Sequence, residues 1–470
     1  MSAPADRRLY RPPTVESLAV ATFALFGMAI GSARIGDNSM FVHIRTGMEI
    51  AAGRGIPRTD PYSFTAAGHR WVVQSWLPAW TYGWAERLGG FGWVAAEQGV
   101  LLAVLAWLVL RLAKTGNVAR TIAAGGIAIG IGAPFWSVRP LVFGLIAFAL
   151  TVLIVEKRAH PGWLVPVVWL WVNSHGSFPL GLAWIAVVTV GAALDGRRWP
   201  REELRYAGGF VAGLVIAAIN PLGPRLLTFP LTVGDKQSVF KTVVEWQSPD
   251  FQRVGGMVAL AFLVLALLVL FRQRVTWRDA LPVAAFMGLG LFAMRNLAPM
   301  AVVMAPVLSR ALTPSPTGGF SAPTVSRVNT GIAALMAAVF VVLGAGAAAG
   351  AGLDTKAYPV AATTWLEHRG YTKAPHRIAQ QDVVGCYFDL RFGRGARVFV
   401  DDRVDMFPVE VSNDYFALLR GSPRSLRILD DRRVDAVLWQ DGKALVAILN
   451  LADNWHRAYN RNGWVIYLRR

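Results

Sequence analysis

The 470-residue sequence holds one cysteine, Cys386, which excludes an intramolecular disulfide and a thiolate metal cluster. Charge is scarce too: Asp, Glu, Lys and Arg make up 16% of residues against 54% hydrophobic, and the charges gather between long apolar runs instead of striping amphipathic faces. Acidic residues are the rarer sign, 29 against 47 Lys and Arg, for a net charge of +18. That excess would suit nucleic acid, but it sits in short segments bounded by apolar stretches, where membrane anchoring accounts for it, so no nucleic-acid partner is expected. No internal repeat is evident and few ionisable residues fall mid-run, which disfavours a transporter of the inverted-repeat kind.

What is present is a series of apolar segments of roughly bilayer-spanning length, beginning near Glu16, Gly92, Arg120, Leu141, Pro161, Ser177, Tyr206, Gly255, Asp279, Leu297 and Thr330. The first, Glu16 to Ala33, follows a basic N-terminus and is longer than a usual signal core, so it reads as an uncleaved helix. With the N-terminus in the cytoplasm, the clusters Arg111/Lys114/Arg120, Lys157/Arg158, Arg197/Arg198/Arg201/Arg205, Arg272/Arg274/Arg278 and Arg310/Arg327 all fall on the cytoplasmic side. The expectation is an α-helical multi-pass protein of the cytoplasmic membrane with about eleven transmembrane helices over residues 1–351. Two long loops, residues 34–91 and 220–254, and a small C-terminal α/β domain, residues 352–470, are then extracytoplasmic.

Within the first long loop, Met40, Phe41, Ile44, Met48 and Ala51 recur at helical spacing, which predicts an interfacial helix over Met40 to Ala52. Trp71, Trp76, Trp80 and Trp84 predict a second, with the tryptophans as membrane anchors. Between them Ile56-Pro57-Arg58-Thr59-Asp60-Pro61-Tyr62 is held as a turn by its prolines. Thr313 to Thr324 reads as a linker. In the C-terminal domain strands are expected at His376 to Ala379, Arg397 to Asp401, Asp435 to Trp439 and Trp464 to Leu468, with helices at Ala361 to His368, Asn413 to Leu419 and Ala444 to Leu451.

Chemistry-bearing residues concentrate on the loop side. Asp37 comes directly after the first apolar run, where a carboxylate can act as a base in a partly desolvated cleft or simply cap the next helix. Arg139, Arg225 and Arg295 sit at ends of apolar runs, suited to binding phosphate or to snorkelling. Asn173-Ser174-His175-Gly176 interrupts an apolar hairpin and should face protein or water, as a polar turn or with His175 as a substrate contact. Glu245-Trp246 pairs a carboxylate with an aromatic face, suited to sugar stacking or to an interfacial loop. Asp401-Asp402-Arg403-Val404-Asp405 is dense in carboxylates, which suits an acceptor glycan, an ion or turn chemistry.

A first helix followed at once by Asp37, an interfacial helix containing His43-Ile44-Arg45-Thr46-Gly47, and then Ile-Pro-x-x-Asp-Pro at residues 56–61 resembles the GT-C superfamily of membrane glycosyltransferases. The likeness is to bacterial relatives of the protein O-mannosyltransferase and aminoarabinose-transferase group, and it is strongest over residues 16–111. The resemblance implies that the first extracytoplasmic loop carries the catalytic Asp, here Asp37, and that the donor is a polyprenyl-phosphate-linked sugar. A common form of the family has Asp-Glu where this chain has Asp37-Asn38. Such transfer needs a base for the acceptor hydroxyl, assigned to Asp37 with Asp60 in support, and cations for the leaving phosphate, drawn from Arg139, Arg225 and Arg295. His175 and Glu245 complete the expected substrate contacts, and the acceptor would be an envelope glycan, lipid or protein. A divalent metal could bridge Asp37 or Asp60 to the phosphate; no His, Asp and Glu spacing matches a defined cage, so metal use stays open. The rival from another class is a non-catalytic membrane assembly factor whose C-terminal domain binds envelope glycan or a partner.

Overall fold

The computed structural model describes residues 12–136, 138–240, 243–313 and 326–470, so most of the basic N-terminus and of the Thr313–Thr324 linker lies outside the described residues. In chain order the α-helices before the C-terminal sheet are α1 (Val15–Gly31), α2 (Asn38–Glu49), α3 (Trp76–Gly89), α4 (Phe91–Leu112), α5 (Val118–Gly132), α6 (Leu141–Glu156), α7 (Leu164–Ser174), α8 (Pro179–Gly196), α9 (Arg201–Ala217), α10 (Arg225–Asp235), α11 (Gln237–Phe240), α12 (Val254–Phe271), α13 (Trp277–Phe292), α14 (Leu297–Leu312), α15 (Arg327–Gly350) and α16 (Val360–His368).

Each of the eleven apolar segments is helical, but among the described residues only five helices are long and apolar enough to cross a bilayer: α4, α5 with its terminal 3₁₀ turn, α8, α12 and α15. The other six run 11–17 residues. Local chemistry shortens some of them. Helix α7 stops at the polar Asn173-Ser174, and α14 is broken from α13 by the turn Met294–Asn296. Residues Leu297 through Ser309 of α14 are buried without interruption, as expected of a helix apolar on every side at the centre of a bundle. Backbones approach closely where glycine permits. A Cβ on Gly27 or Gly31 of α1 would lie 2.6 Å from a carbonyl of α4, an interface of small residues of the kind membrane helices use.

Ion pairs sort the helix ends into two sets. At one end, Glu156 closing α6 accepts from Arg278 near the start of α13 (3.1 Å) and from Arg310 near the end of α14, which also reaches Asp279 at 2.5 Å. Glu16 in α1 and Lys114 beyond α4 pair there as well (3.3 Å). The ends after α1, α5, α7 and α13 converge at the opposite end, where the loops lie.

The first loop follows the expected outline with different roles for its aromatics. Helix α2 starts at Asn38 and runs on through a π-helical turn to Arg54. It crosses α3 so closely that a Cβ on Gly47 would sit 1.8 Å from the Ala79 carbonyl oxygen. Trp80 and Trp84 are exposed, as anchors would be, but Trp71 is buried and the Trp76 indole donates to Asn173 at 2.9 Å.

Beyond α15, helices α17 (Asp382–Phe392), α18 (Val409–Leu419), α19 (Ser425–Asp431) and α20 (Ala444–Asn450) surround a sheet of β1 (Ile378–Gln380), β2 (Ala436–Gln440), β3 (Trp455–Arg461) and β4 (Trp464–Arg469). Its order is β1-β2-β4-β3, with β1 and β2 parallel and the remaining pairs antiparallel. The expected strand at Arg397–Asp401 is instead an irregular segment, with Arg397 at positive φ, in which Val398 alone bridges Ile378 on one side and Ser63 on the other. That bridge stitches the first loop to the C-terminal part. Met40, Phe41, Ile44, Tyr62 and Trp71 of the loop share one hydrophobic core with Phe388, Phe399 and Trp439.

Candidate active site

Over the loop-side end of the bundle lies a cavity of about 900 Å³, walled by helix turns below and by the first loop and the C-terminal part above. Arg139 enters it from the turn between α5 and α6, where Pro140 starts the next helix. Its Nε donates to both oxygens of Asp37 (2.9 and 2.7 Å) and its Nη1 to Glu245 at 2.6 Å. Burial disfavours the Arg139 charge, but Asp37, Glu245 and Asp402 outweigh it and hold the guanidinium above its usual value. Asp37 is also the N-cap of α2, accepting from the Ser39 N–H at 3.0 Å, which is the capping role the sequence offered for it. Its neighbours Asn38 and Ser39 line the cavity while its own oxygens turn to Arg139.

Arg295 lies across the cavity, in the 3₁₀ turn between α13 and α14, with its guanidinium 4.4 Å from the Trp246 ring centre. Among the described residues it has no ion-pair partner; burial, and after it the repulsion of Arg139 against the pull of Glu245, leaves its value below the usual one. His175, at the end of α7, lines the same wall, its Nδ1 beside the Ser177 hydroxyl at 2.9 Å. His43, one turn into α2, faces it; burial and the nearby Arg139 pull His43 down to about 4, so it is neutral at pH 7.

The structure thus brings Asp37, Arg139, His175, Glu245 and Arg295 together. It does not bring in the other two. Arg225 is exposed at the start of α10, away from the cavity lining. Asp60 is enclosed elsewhere: it accepts from the Tyr62 N–H and Ser63 N–H (both 3.1 Å) and from Arg403 at 2.7 Å. Arg403 in turn grips Asp401 through Nε (2.9 Å) and Nη2 (2.5 Å), among the rings of Tyr62, Trp71 and Phe407. Asp60 therefore holds the first loop to the C-terminal part. Asp37 and Asp60, the carboxylates considered for a bridging metal, are both engaged by guanidinium groups, and among the described residues no group of three or more His, Cys, Asp or Glu is arranged to hold a metal ion.

One acid of this wall escaped assignment from sequence. Asp402 accepts from the Ser39 hydroxyl, and burial lifts its carboxyl to about 7 against the opposing pull of Arg139 and Ser39. The signal was the carboxylate-dense run at Asp401-Asp402, in which Asp401 is held by Arg403 while Asp402 meets Ser39 on the cavity wall.

Over 96% of its length the chain matches the archaeal oligosaccharyltransferase AglB of Archaeoglobus fulgidus, solved in complex with an inhibitory peptide and a dolichol-phosphate, at a TM-score of 0.51, with 12% identity and 74% of that chain covered. The same share matches ArnT of Cupriavidus metallidurans in its apo state, at 0.49 and 14% identity with 97% of that chain covered, and in its undecaprenyl phosphate-bound state at 0.44 and 13%. No family model and no curated protein matches the sequence.

Proposed function

We propose that the protein transfers a sugar from a polyprenyl-phosphate donor to an envelope acceptor, a glycan, lipid or protein, on the outer face of the cytoplasmic membrane. The observation that carries this reading is Arg295: a guanidinium in the cavity wall, stacked on Trp246 and without an ion-pair partner among the described residues, beside an Arg139 already aimed by Asp37. Two convergent arginines in a partly desolvated site stabilise the negative charge that gathers on a departing phosphate. The prenyl chain leaves along Leu289 and Phe292 of α13, which line the cavity and are exposed on the bundle's flank. The basic helix ends opposite this site face the cytoplasm in this reading, and the eleven apolar helices span or half-span the bilayer.

The test is binding of undecaprenyl phosphate to the purified protein in lipid nanodiscs, followed by transfer from a panel of short-chain prenyl-phosphate sugars. Arg295→Ala should weaken phosphate binding about tenfold or more, the worth of a charge-assisted contact. Wild-type protein that neither binds the lipid phosphate nor consumes any donor refutes the reading and leaves a non-catalytic assembly factor in its place.

A further inference from the structure

His175 reaches the cavity wall with one edge of its ring already committed. The Ser177 backbone N–H donates to Nδ1 at 3.2 Å, so this nitrogen carries no hydrogen of its own. The Ser177 hydroxyl lies 2.9 Å from the same nitrogen and itself accepts from the Trp171 indole at 3.0 Å, which leaves its hydrogen free to point at Nδ1. These groups are wedged against α6: a Cβ on Gly144 would lie 2.8 Å from the Ser177 hydroxyl oxygen and 3.2 Å from both the Trp171 Nε1 and the His175 Cβ. A neutral imidazole whose Nδ1 is bare holds its proton on Nε2. Burial and the nearby Arg295 pull His175 down to about 3, so the ring is neutral at pH 7. Among the described residues Nε2 has no hydrogen-bond partner, and it is not sealed from the cavity that His175 lines. The α7–α8 turn therefore presents one uncharged donor in a fixed direction. Arg295 is the charge that acts most strongly on this ring, and it shares a small cleft with Trp171 and Ser177, the residues that orient it.

We propose that the His175 Nε2–H donates to the phosphate oxygen that departs from the anomeric carbon. This rests on the glycosyl transfer proposed above. The acceptor oxygen forms the new bond to the anomeric carbon, and its proton passes to a carboxylate of the cavity, the role the family resemblance gives Asp37. The bond from that carbon to the phosphate oxygen breaks, and the oxygen keeps the electron pair. It becomes the third terminal oxygen of the polyprenyl phosphate. His175 gives up no proton, because a neutral imidazole N–H is a weak acid; it acts as a fixed dipole at the atom where charge develops. Arg139 and Arg295 are left for the two oxygens that are terminal from the start.

The experiment compares His175→Gln and His175→Asn with wild type in full-length protein in lipid nanodiscs. The glutamine amide nitrogen reaches about as far as the lost Nε2, whereas the asparagine nitrogen stops near the lost Nδ1. His175→Asn should slow single-turnover transfer from the prenyl-phosphate sugar panel about 10- to 100-fold, the worth of a hydrogen bond to a charged group, and change donor affinity less than about threefold. It should also weaken binding of undecaprenyl phosphate, in which the departing oxygen is free, by about tenfold. His175→Gln should stay within about fivefold of wild type in both. A second measurement needs no stable variant: ¹⁵N NMR of histidine-labelled wild type, with His175→Gln identifying the signal where it folds, should show the proton on Nε2, and undecaprenyl phosphate should shift Nε2 more than Nδ1. A proton on Nδ1 overturns the assignment, as does His175→Asn protein as fast as wild type; either leaves the glycosyl transfer standing. Equal losses in the two variants, with Nε2 unmoved by the lipid phosphate, reduce His175 to packing and overturn it as well. Wild-type failure in both binding and transfer overturns the glycosyl transfer and this donation with it.

Discussion

Arg403→Met tests the join between the first loop and the C-terminal part. Arg403 is 5% exposed, and its partners Asp60 and Asp401 are fully buried. Methionine keeps most of the stem that packs among Tyr62, Trp71 and Phe407 but removes the guanidinium that lies among them. Two carboxylates are then stranded in a core where burial and Asp401 already push Asp389 far up. Breaking a buried pair from one side costs about 3–5 kcal/mol, because the remaining charge keeps its desolvation penalty and loses its compensation. That is roughly two to four orders of magnitude in the open population of this region. Limited proteolysis of full-length protein in detergent reads the open population directly when opening is fast. Cleavage within residues 352–470 should accelerate by a comparable factor, and adding Asp60→Asn should recover more than about 1 kcal/mol, since it removes one stranded charge. Arg403→Met protein cleaved at the wild-type rate would refute the ion-pair argument.

Three further outcomes are expected. Gly47→Ala places a Cβ 1.8 Å from the Ala79 carbonyl, so α2 and α3 must separate; the variant should lose monodispersity on size exclusion, whereas Gly53→Ala, with open space around it, should cost only the strain of its positive φ. Asp402 holds a proton in the folded state between its unfolded value near 3.8 and about 7, so stability should fall as pH rises through that window, by at most about 1.36 kcal/mol per unit, and level off above it. Thermal scans across pH should show this slope in wild type and lack it in Asp402→Asn. A cysteine placed at exposed Arg54 in a Cys386→Ser background should react with an impermeant maleimide in intact cells. Labelling only after permeabilisation would invert the proposed orientation.

The bundle was readable because its signal is one of bulk hydropathy: every apolar run became a helix, and Arg139, His175 and Arg295 fell together because hairpin turns alternate between two ends. Span lengths were less readable, since Asn173 and the turn at Met294 to Asn296 end helices inside continuous apolar sequence. Asp60 shows the limit of motif reasoning. Its loop position was correct, but a loop carboxylate and a core carboxylate look alike until the partner, Arg403, arrives from 343 residues away. Strand β3 was missed because Trp455–Arg461 is a polar edge strand with its first residue alone buried; the Asn462-Gly463 pair, both at positive φ, was the hairpin signal to follow. The aromatic run from Trp71 to Trp84 carried a periodicity that cannot separate lipid from protein as the apolar neighbour.

The shared core of the first loop and the C-terminal part has a bearing on protein engineering and on ancestry. A chimera that exchanges residues 352–470 with a protein of the same fold would leave Tyr62, Trp71 and Asp60 facing a foreign surface, so the loop must travel with the tail for the graft to fold. Substitutions on the two segments should accordingly be inherited as matched sets. A search for correlated positions among relatives would look first at Ser63 with Val398 and at Asp60 with Arg403.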